Sequence, residues 1–191
     1  MNMTQTTRRG LMAWALLPWL ASCHSGAGQD HKATPMSEAQ QRFNGIGLVL
    51  VTDAVPGAEM LGVEFFANGH ELPFYAKSLL SRKTREIMAY PGGLIPEMVR
   101  IVWRDNHKAI APPGGRTGIS YGGRILGNYT IPVAARIPDA VLQEIRARGG
   151  ALRLKFRLKP DGVLFGWDIE RDGGGISRFD MPGGDFTETR Y

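Results

Sequence analysis

Cysteine occurs once in these 191 residues, at Cys23, so no disulfide within the chain can brace the fold and a packed core has to carry its stability. Histidine is nearly as scarce. His24, His31, His70 and His107 fall nowhere near the spacing of roughly three to five residues that sets two imidazoles on one zinc ion, so no metal is expected; Gly114-Gly115-Arg116 lacks the strand, spacing and lysine of a phosphate loop, and no cofactor is expected. No apolar run reaches the ~20 residues that a helix needs to cross a ~30 Å hydrocarbon core. An excess of one charge is missing too: 23 Lys and Arg stand against 18 Asp and Glu, spread along the chain, which is too even for a nucleic-acid partner. There is no internal repeat.

What is present begins at the N-terminus. Arg8 and Arg9 precede the apolar stretch Leu11–Ala21, and no acid occurs before Asp30. A charged segment followed by a short apolar one reads as an export signal, and Pro18 speaks further against a permanent span. Leu20-Ala21-Ser22-Cys23 then resembles the lipobox of bacterial lipoproteins, which implies cleavage before Cys23 and acylation of its sulfur with palmitate-type chains. A lone cysteine can also be a core thiol, a nucleophile or a metal ligand. Its neighbours Ser22, His24, Ser25, Gly26, Ala27 and Gly28 are too small and polar to build the pocket that a reactive thiolate requires. Thr7 to Met12 is similar to a twin-arginine signal, although paired arginines occur in ordinary signals as well. His24 replaces the aspartate that holds enteric lipoproteins at the inner membrane, so the expected location is the periplasmic face of the outer membrane.

The chain thus divides into a signal peptide (1–22), a lipidated flexible tether (23–42), a globular β-rich domain (43–171) and a Gly-rich C-terminal tail (172–191) expected to add little core. Within the domain, Ile46–Thr52 and Met60–Ala67 read as strands, Asn68-Gly69 as a hairpin turn and His70–Tyr75 as the returning strand. Met98–Arg104 alternates as a half-buried strand, and Tyr129–Ala135 is a further candidate. Pro138-Asp139 opens a helix that closes on Arg146, Arg148 and Gly149, with Val141, Leu142 and Ile145 inward. Leu152 to Leu158 alternates apolar residues with Arg153, Lys155 and Arg157, which predicts one buried face and one basic, wet face. Lys159-Pro160-Asp161-Gly162 turns the chain into a partner strand, Val163–Ile169. The predicted fold is mainly β (α+β), an antiparallel sheet or β-sandwich with one or two short helices, the second somewhere in Lys77–Met88.

Catalytic signatures are sparse. Gly118-Ile119-Ser120-Tyr121-Gly122 fits G-x-S-x-G, yet every histidine precedes Ser120, whereas the hydrolase order places it after. Asp168 and Glu170 share a strand face as acids near a sheet edge ordinarily do, and no enzyme activity is expected. The segment from Asp105 to Asn128 reads as a long structureless insertion, of the kind that carries binding residues. Asn106, His107, Arg116, Tyr121 and Arg124 are its candidate partner contacts, Tyr and Arg being favoured interface anchors.

Lipobox, Val63-Glu64-Phe65-Phe66-Ala67-Asn68-Gly69, Pro96–Trp103, Tyr129–Ile145 and the Leu154–Trp167 hairpin together resemble small proteobacterial lipoproteins associated with type VI secretion, in particular periplasmic immunity proteins against phospholipase effectors. The likeness covers about two thirds of the chain. It implies a stoichiometric inhibitor whose partners are a cognate toxin and, through the lipid anchor, a membrane, with no small-molecule substrate. The alternative is a non-catalytic structural or assembly lipoprotein of the envelope, whose loss would give a general envelope defect. A lipid-active hydrolase is the third reading, and it alone makes turnover depend on Ser120.

Overall fold

A computed structural model describes residues 38–87 and 96–189; Cys23 and residues 1–22, read above as a signal peptide, lie outside the described residues. In chain order the elements are α1 (Glu38–Arg42), β1 (Gly47–Ala54), β2 (Met60–Ala67), β3 (Tyr75–Leu80), β4 (Thr84–Ile87), β5 (Val99–Arg104), β6 (Ala109–Ile110), β7 (Ser120–Tyr121), β8 (Ile125–Ile131), α2 (Val133–Arg136), α3 (Asp139–Arg148), β9 (Ala151–Lys159), β10 (Gly162–Arg171) and β11 (Arg178–Gly184). One sheet has the order β11-β10-β9-β1-β4, the other β3-β2-β5-β8, and β6 pairs with β7 in a small separate ladder. All pairings are antiparallel except β1 with β9. The chain is therefore a mostly β, α+β protein of sandwich type.

Alternation explains the core. Leu48 and Leu50 of β1, Leu152, Leu154, Phe156 and Leu158 of β9, and Phe165 and Ile169 of β10 meet Val63 and Phe65 of β2 and Val99, Ile101 and Trp103 of β5 in one apolar cluster. Phe65 sits edge-on against Tyr75 and Phe156, at ring centroid distances of 5.4 and 5.5 Å. Trp103 is stacked on Tyr129. It lies where a side chain at residue 127 would stand: a Cβ on Gly127 would fall 2.1 Å from its ring. Helix α3 adds Val141, Leu142 and Ile145, as its spacing predicts, and ends where Gly149 takes φ 74° and its N–H returns to the Ile145 carbonyl at 2.7 Å.

Several expectations are corrected. Asn68 and Gly69 do reverse the chain at positive φ, but the strand does not return at His70. Pro73 has no N–H to offer, and pairing resumes only at Phe74, whose amide reaches the Phe65 carbonyl at 2.9 Å. No helix forms across the described part of 77–88. Lys77 and its neighbours extend β2's sheet through β3, and Thr84–Ile87 crosses to the other sheet beside β1. Thr52, Tyr75 and Thr84 hydroxyls hydrogen-bond to each other at that crossing, at 2.7 Å (Thr52 to Thr84) and 3.0 Å (Tyr75 to Thr84). The strand placed at 129–135 begins at Ile125 instead and stops before Pro132, after which α2 starts. Residues 38–42, assigned to the tether, form α1. Arg42 bonds to Asp139 at 2.5 Å, to the Ala134 carbonyl at 2.9 Å and to the Ile137 carbonyl.

The largest correction concerns the outer face of the first sheet. Arg153 and Lys155, expected in water, are 2% and 0% exposed, and Asp168 opposite Arg153 is also 0% exposed. β10 is not an edge; β11 lies beyond it, and the residues after β11 fold back over the face. The tail expected to add little core supplies the cover. Phe186 is buried, and Phe179 lies 3.8 Å over the Arg153 guanidinium. Lys155 donates to the Glu188 carbonyl at 2.9 Å and Arg153 to that of Thr189 at 3.0 Å. Gly166 permits the approach, since a Cβ there would stand 2.8 Å from the Phe186 carbonyl oxygen.

Asp185 fixes the start of this strap. Its carboxylate takes two bonds from Arg136, at 2.6 and 3.2 Å, and one from the Phe165 amide at 2.9 Å. The Arg136 bonds above all, then the Phe165 amide, hold its pKa below the ordinary value of 3.8. A lowered carboxylate pKa means that the stabilisation is present above the unfolded value and disappears as pH falls through the folded one. Following the Phe165 amide by NMR should therefore give an acid transition with a midpoint below 3.8, abolished by Asp185→Asn; a midpoint at or above 3.8 would show the strap unanchored.

Candidate functional site

The second sheet has its own cover, the arm from residue 105 to 124. It is not structureless: β6 pairs with β7 through Ala109↔Tyr121 and Ile110↔Ser120, and a tight turn at Pro113–Gly115, with Gly114 at φ 71°, lies between them. The arm is seated by an acid that sequence reasoning passed over. Glu64 stands in the apolar strand Met60–Ala67 and is fully buried. Its Oε1 accepts the Ser120 hydroxyl at 2.9 Å and the Tyr121 amide at 3.2 Å. Arg104, from the neighbouring β5, brings Nη2 to 2.8 Å from Oε2 and donates from Nε to the Tyr121 carbonyl at 2.5 Å. Glu64 Oε2 and Arg104 Nη1 nevertheless make no directed hydrogen bond among the described residues. Charge, more than hydrogen-bond geometry, holds that side of the pair.

Gly62 makes the seat possible. A bulge interrupts the β2–β5 register between Leu61 and Glu64, and Gly62 there takes φ 53°. A Cβ would fall 2.6 Å from the Asn106 carbonyl oxygen and 3.1 Å from the Tyr121 Cβ, so the arm's two ends close onto bare backbone. At the mouth of the arm, Asp105 accepts from the Arg124 amide at 3.0 Å and from Asn106 Nδ2 at 2.9 Å. The Lys108 amide donates to Asn106 Oδ1 at 3.0 Å. Asn106 thus shapes the turn.

The five candidate contacts therefore part company. Tyr121 is 6% exposed and faces inward; burial first, then the Glu64 and Tyr75 charges, pushes its phenol up. Asn106 is half-buried, while His107, Arg116 and Arg124 are exposed. Arg116 lies 3.4 Å from Glu71 and Arg124 lies 3.7 Å from Asp105, both at the surface, where such pairs contribute little. Beside them stand apolar side chains that were not singled out: Ile110, Ile119, Ile125 and Leu126 are all exposed. Their signal in the sequence is aliphatic residues scattered through a Gly-rich segment with no alternating partner.

No family model, curated protein or solved structure matches this chain. Chemistry has to be read from the side chains alone. The Ser120 hydroxyl donates its hydrogen bond to a buried carboxylate, and not to an imidazole as a nucleophile elbow requires. Among the described residues no group of three or more His, Cys, Asp or Glu is placed to hold a metal ion. None of the helices among them is long and apolar enough to cross a membrane.

Proposed function

We propose that the chain is a lipid-anchored envelope protein that works by binding another protein, as the immunity partner of a type VI secretion effector of the phospholipase kind. The observation that carries this reading is the arm: exposed basic and aliphatic side chains stand on a backbone pinned by Glu64, Arg104 and Asp105. A surface held in place before binding loses little conformational entropy when a partner arrives. The lipobox at Cys23 supports the address, and the resemblance carried by Val63–Gly69, Pro96–Trp103 and Tyr129–Ile145 supports the class of partner. An anchored blocker would stand where a lipase must reach its substrate.

Reversing the exposed charges should weaken such a complex. Arg116→Glu with Arg124→Glu is expected to slow association about tenfold and to flatten its salt dependence, while leaving thermal unfolding of the free protein unchanged. The role is tested in cells that lack the gene and meet the phospholipase effector encoded beside it. Wild-type protein should restore growth, and Cys23→Ser should neither incorporate labelled palmitate nor protect when expressed at the same level. Full sensitivity despite wild-type expression would remove the immunity reading; a growth defect without any effector would favour an assembly lipoprotein.

A further inference from the structure

Four strands end the two sheets, and three of them carry the residues that discourage another strand from adding on: Lys77 in β3, Arg85 and Glu86 in β4, and Arg178, Asp180 and Pro182 in β11. The fourth, β8, reads Ile-Leu-Gly-Asn-Tyr-Thr-Ile and contains neither a charge nor a proline. Ile125 and Leu126 are 50% and 53% exposed, and Asn128 and Thr130 are exposed as well. Among the described residues, no main-chain hydrogen bond reaches the edge of β8 turned away from β5. Row after row of unpaired N–H and C=O groups on a neutral strand is a template for one more strand.

We infer that β8 pairs with β8 of a second copy of this chain, antiparallel about a twofold axis at Asn128, joining two four-stranded sheets into one. The register follows from the sequence. Asn128 is the middle residue of Ile125–Ile131, so only this axis lets the whole strand pair. Leu126 then faces Thr130 of the other copy, and the two Asn128 amides face each other, able to donate and accept in turn. Gly127, whose Cβ position the Trp103 ring already fills, comes opposite Tyr129 of the other copy, so no two bulky side chains collide there. Arg124 falls opposite Pro132, so no charge meets its like. That neutrality favours a second copy over an unrelated strand, whose residues would have to match by chance. The pairing does not rest on the immunity reading; it takes Arg124, Ile125 and Leu126 into its seam and leaves Ile110, Arg116 and Ile119 of the arm exposed.

Cysteine cross-linking in the full-length, membrane-borne protein tests the register. With mild oxidant, Asn128→Cys should give a covalent dimer on a non-reducing gel, and the chain with Cys23 alone should not. Leu126→Cys and Thr130→Cys should link to each other when co-expressed but not to themselves. Adding Thr130→Lys, a charge at an exposed edge position, should cut the Asn128→Cys dimer at least fivefold. Absence of the Asn128→Cys dimer while a maleimide still labels that thiol would overturn the proposal. So would equal cross-linking from Lys77→Cys on the guarded edge β3.

Discussion

Replacing Asp168 with alanine is expected to destabilise the protein by about 3–5 kcal/mol, the range seen when one member of a buried ion pair is removed. Asp168 neutralises two cations at once. Arg153 reaches it from Nε at 2.5 Å and from Nη2 at 2.6 Å, and Lys155 from Nζ at 3.0 Å, with all three side chains out of water. Without the carboxylate, Arg153 and Lys155 keep, among the described residues, the strap's carbonyls, the faces of Phe179 and Phe186 and the Glu188 charge near Lys155. Burial already holds the Lys155 pKa below its ordinary 10.5, against the pull of Asp168. A lowered lysine pKa makes the protonated form the costly one, so the penalty is full at low pH and shrinks as pH rises through the folded value. Urea unfolding of Asp168→Ala should therefore show a deficit that narrows in alkali. Substituting Asp168, Arg153 and Lys155 together with apolar residues of similar volume should recover most of the loss. A deficit under about 1 kcal/mol, the range of an exposed pair, would mean that the strap does not cover this face in solution.

Glu64→Ala should cost a comparable amount, about 3–5 kcal/mol, and for a related reason: it strands Arg104 beneath the arm and removes the acceptor of Ser120 and the Tyr121 amide. Here stability and arm position can be separated. Glu64→Leu with Arg104→Met removes both charges and should bring stability back, yet nothing then receives the Ser120 hydroxyl and the Tyr121 amide. Amide exchange across residues 105–124 should stay fast in that double variant while the sheets remain protected. If exchange in the arm is as slow as in the wild type, the β6–β7 ladder and Gly62 packing hold the arm without Glu64.

These two buried charge clusters also mark where the sequence stopped being readable. Strand β2 follows from an apolar run between breakers, and β5, β9, β10 and helix α3 from alternation and end signals, because those patterns arise within each element. Arg153 and Lys155 alternate with leucines as residues of a wet face would. What buries them is Phe179 and Phe186, from a segment so rich in glycine and so poor in apolar mass that it reads as a tail. Burial by a distant segment leaves no local trace. Glu64 did leave one, an acid in the middle of an apolar strand, but its partners Arg104 and Ser120 come from other elements, and only the fold brings them together. For the same reason Tyr121, promising as an exposed anchor, turned out to be the inner side of the arm, and the aliphatic residues beside Arg116 and Arg124 took its place at the surface.

The most direct test of the proposed binding role is to titrate a purified phospholipase effector, if one is encoded beside the gene as the proposal requires, with the purified protein in a vesicle hydrolysis assay. Hydrolysis should fall linearly and reach zero at one equivalent, with the effector recovered in a stable complex. Unchanged hydrolysis at large excess, with the two proteins eluting separately, would contradict it.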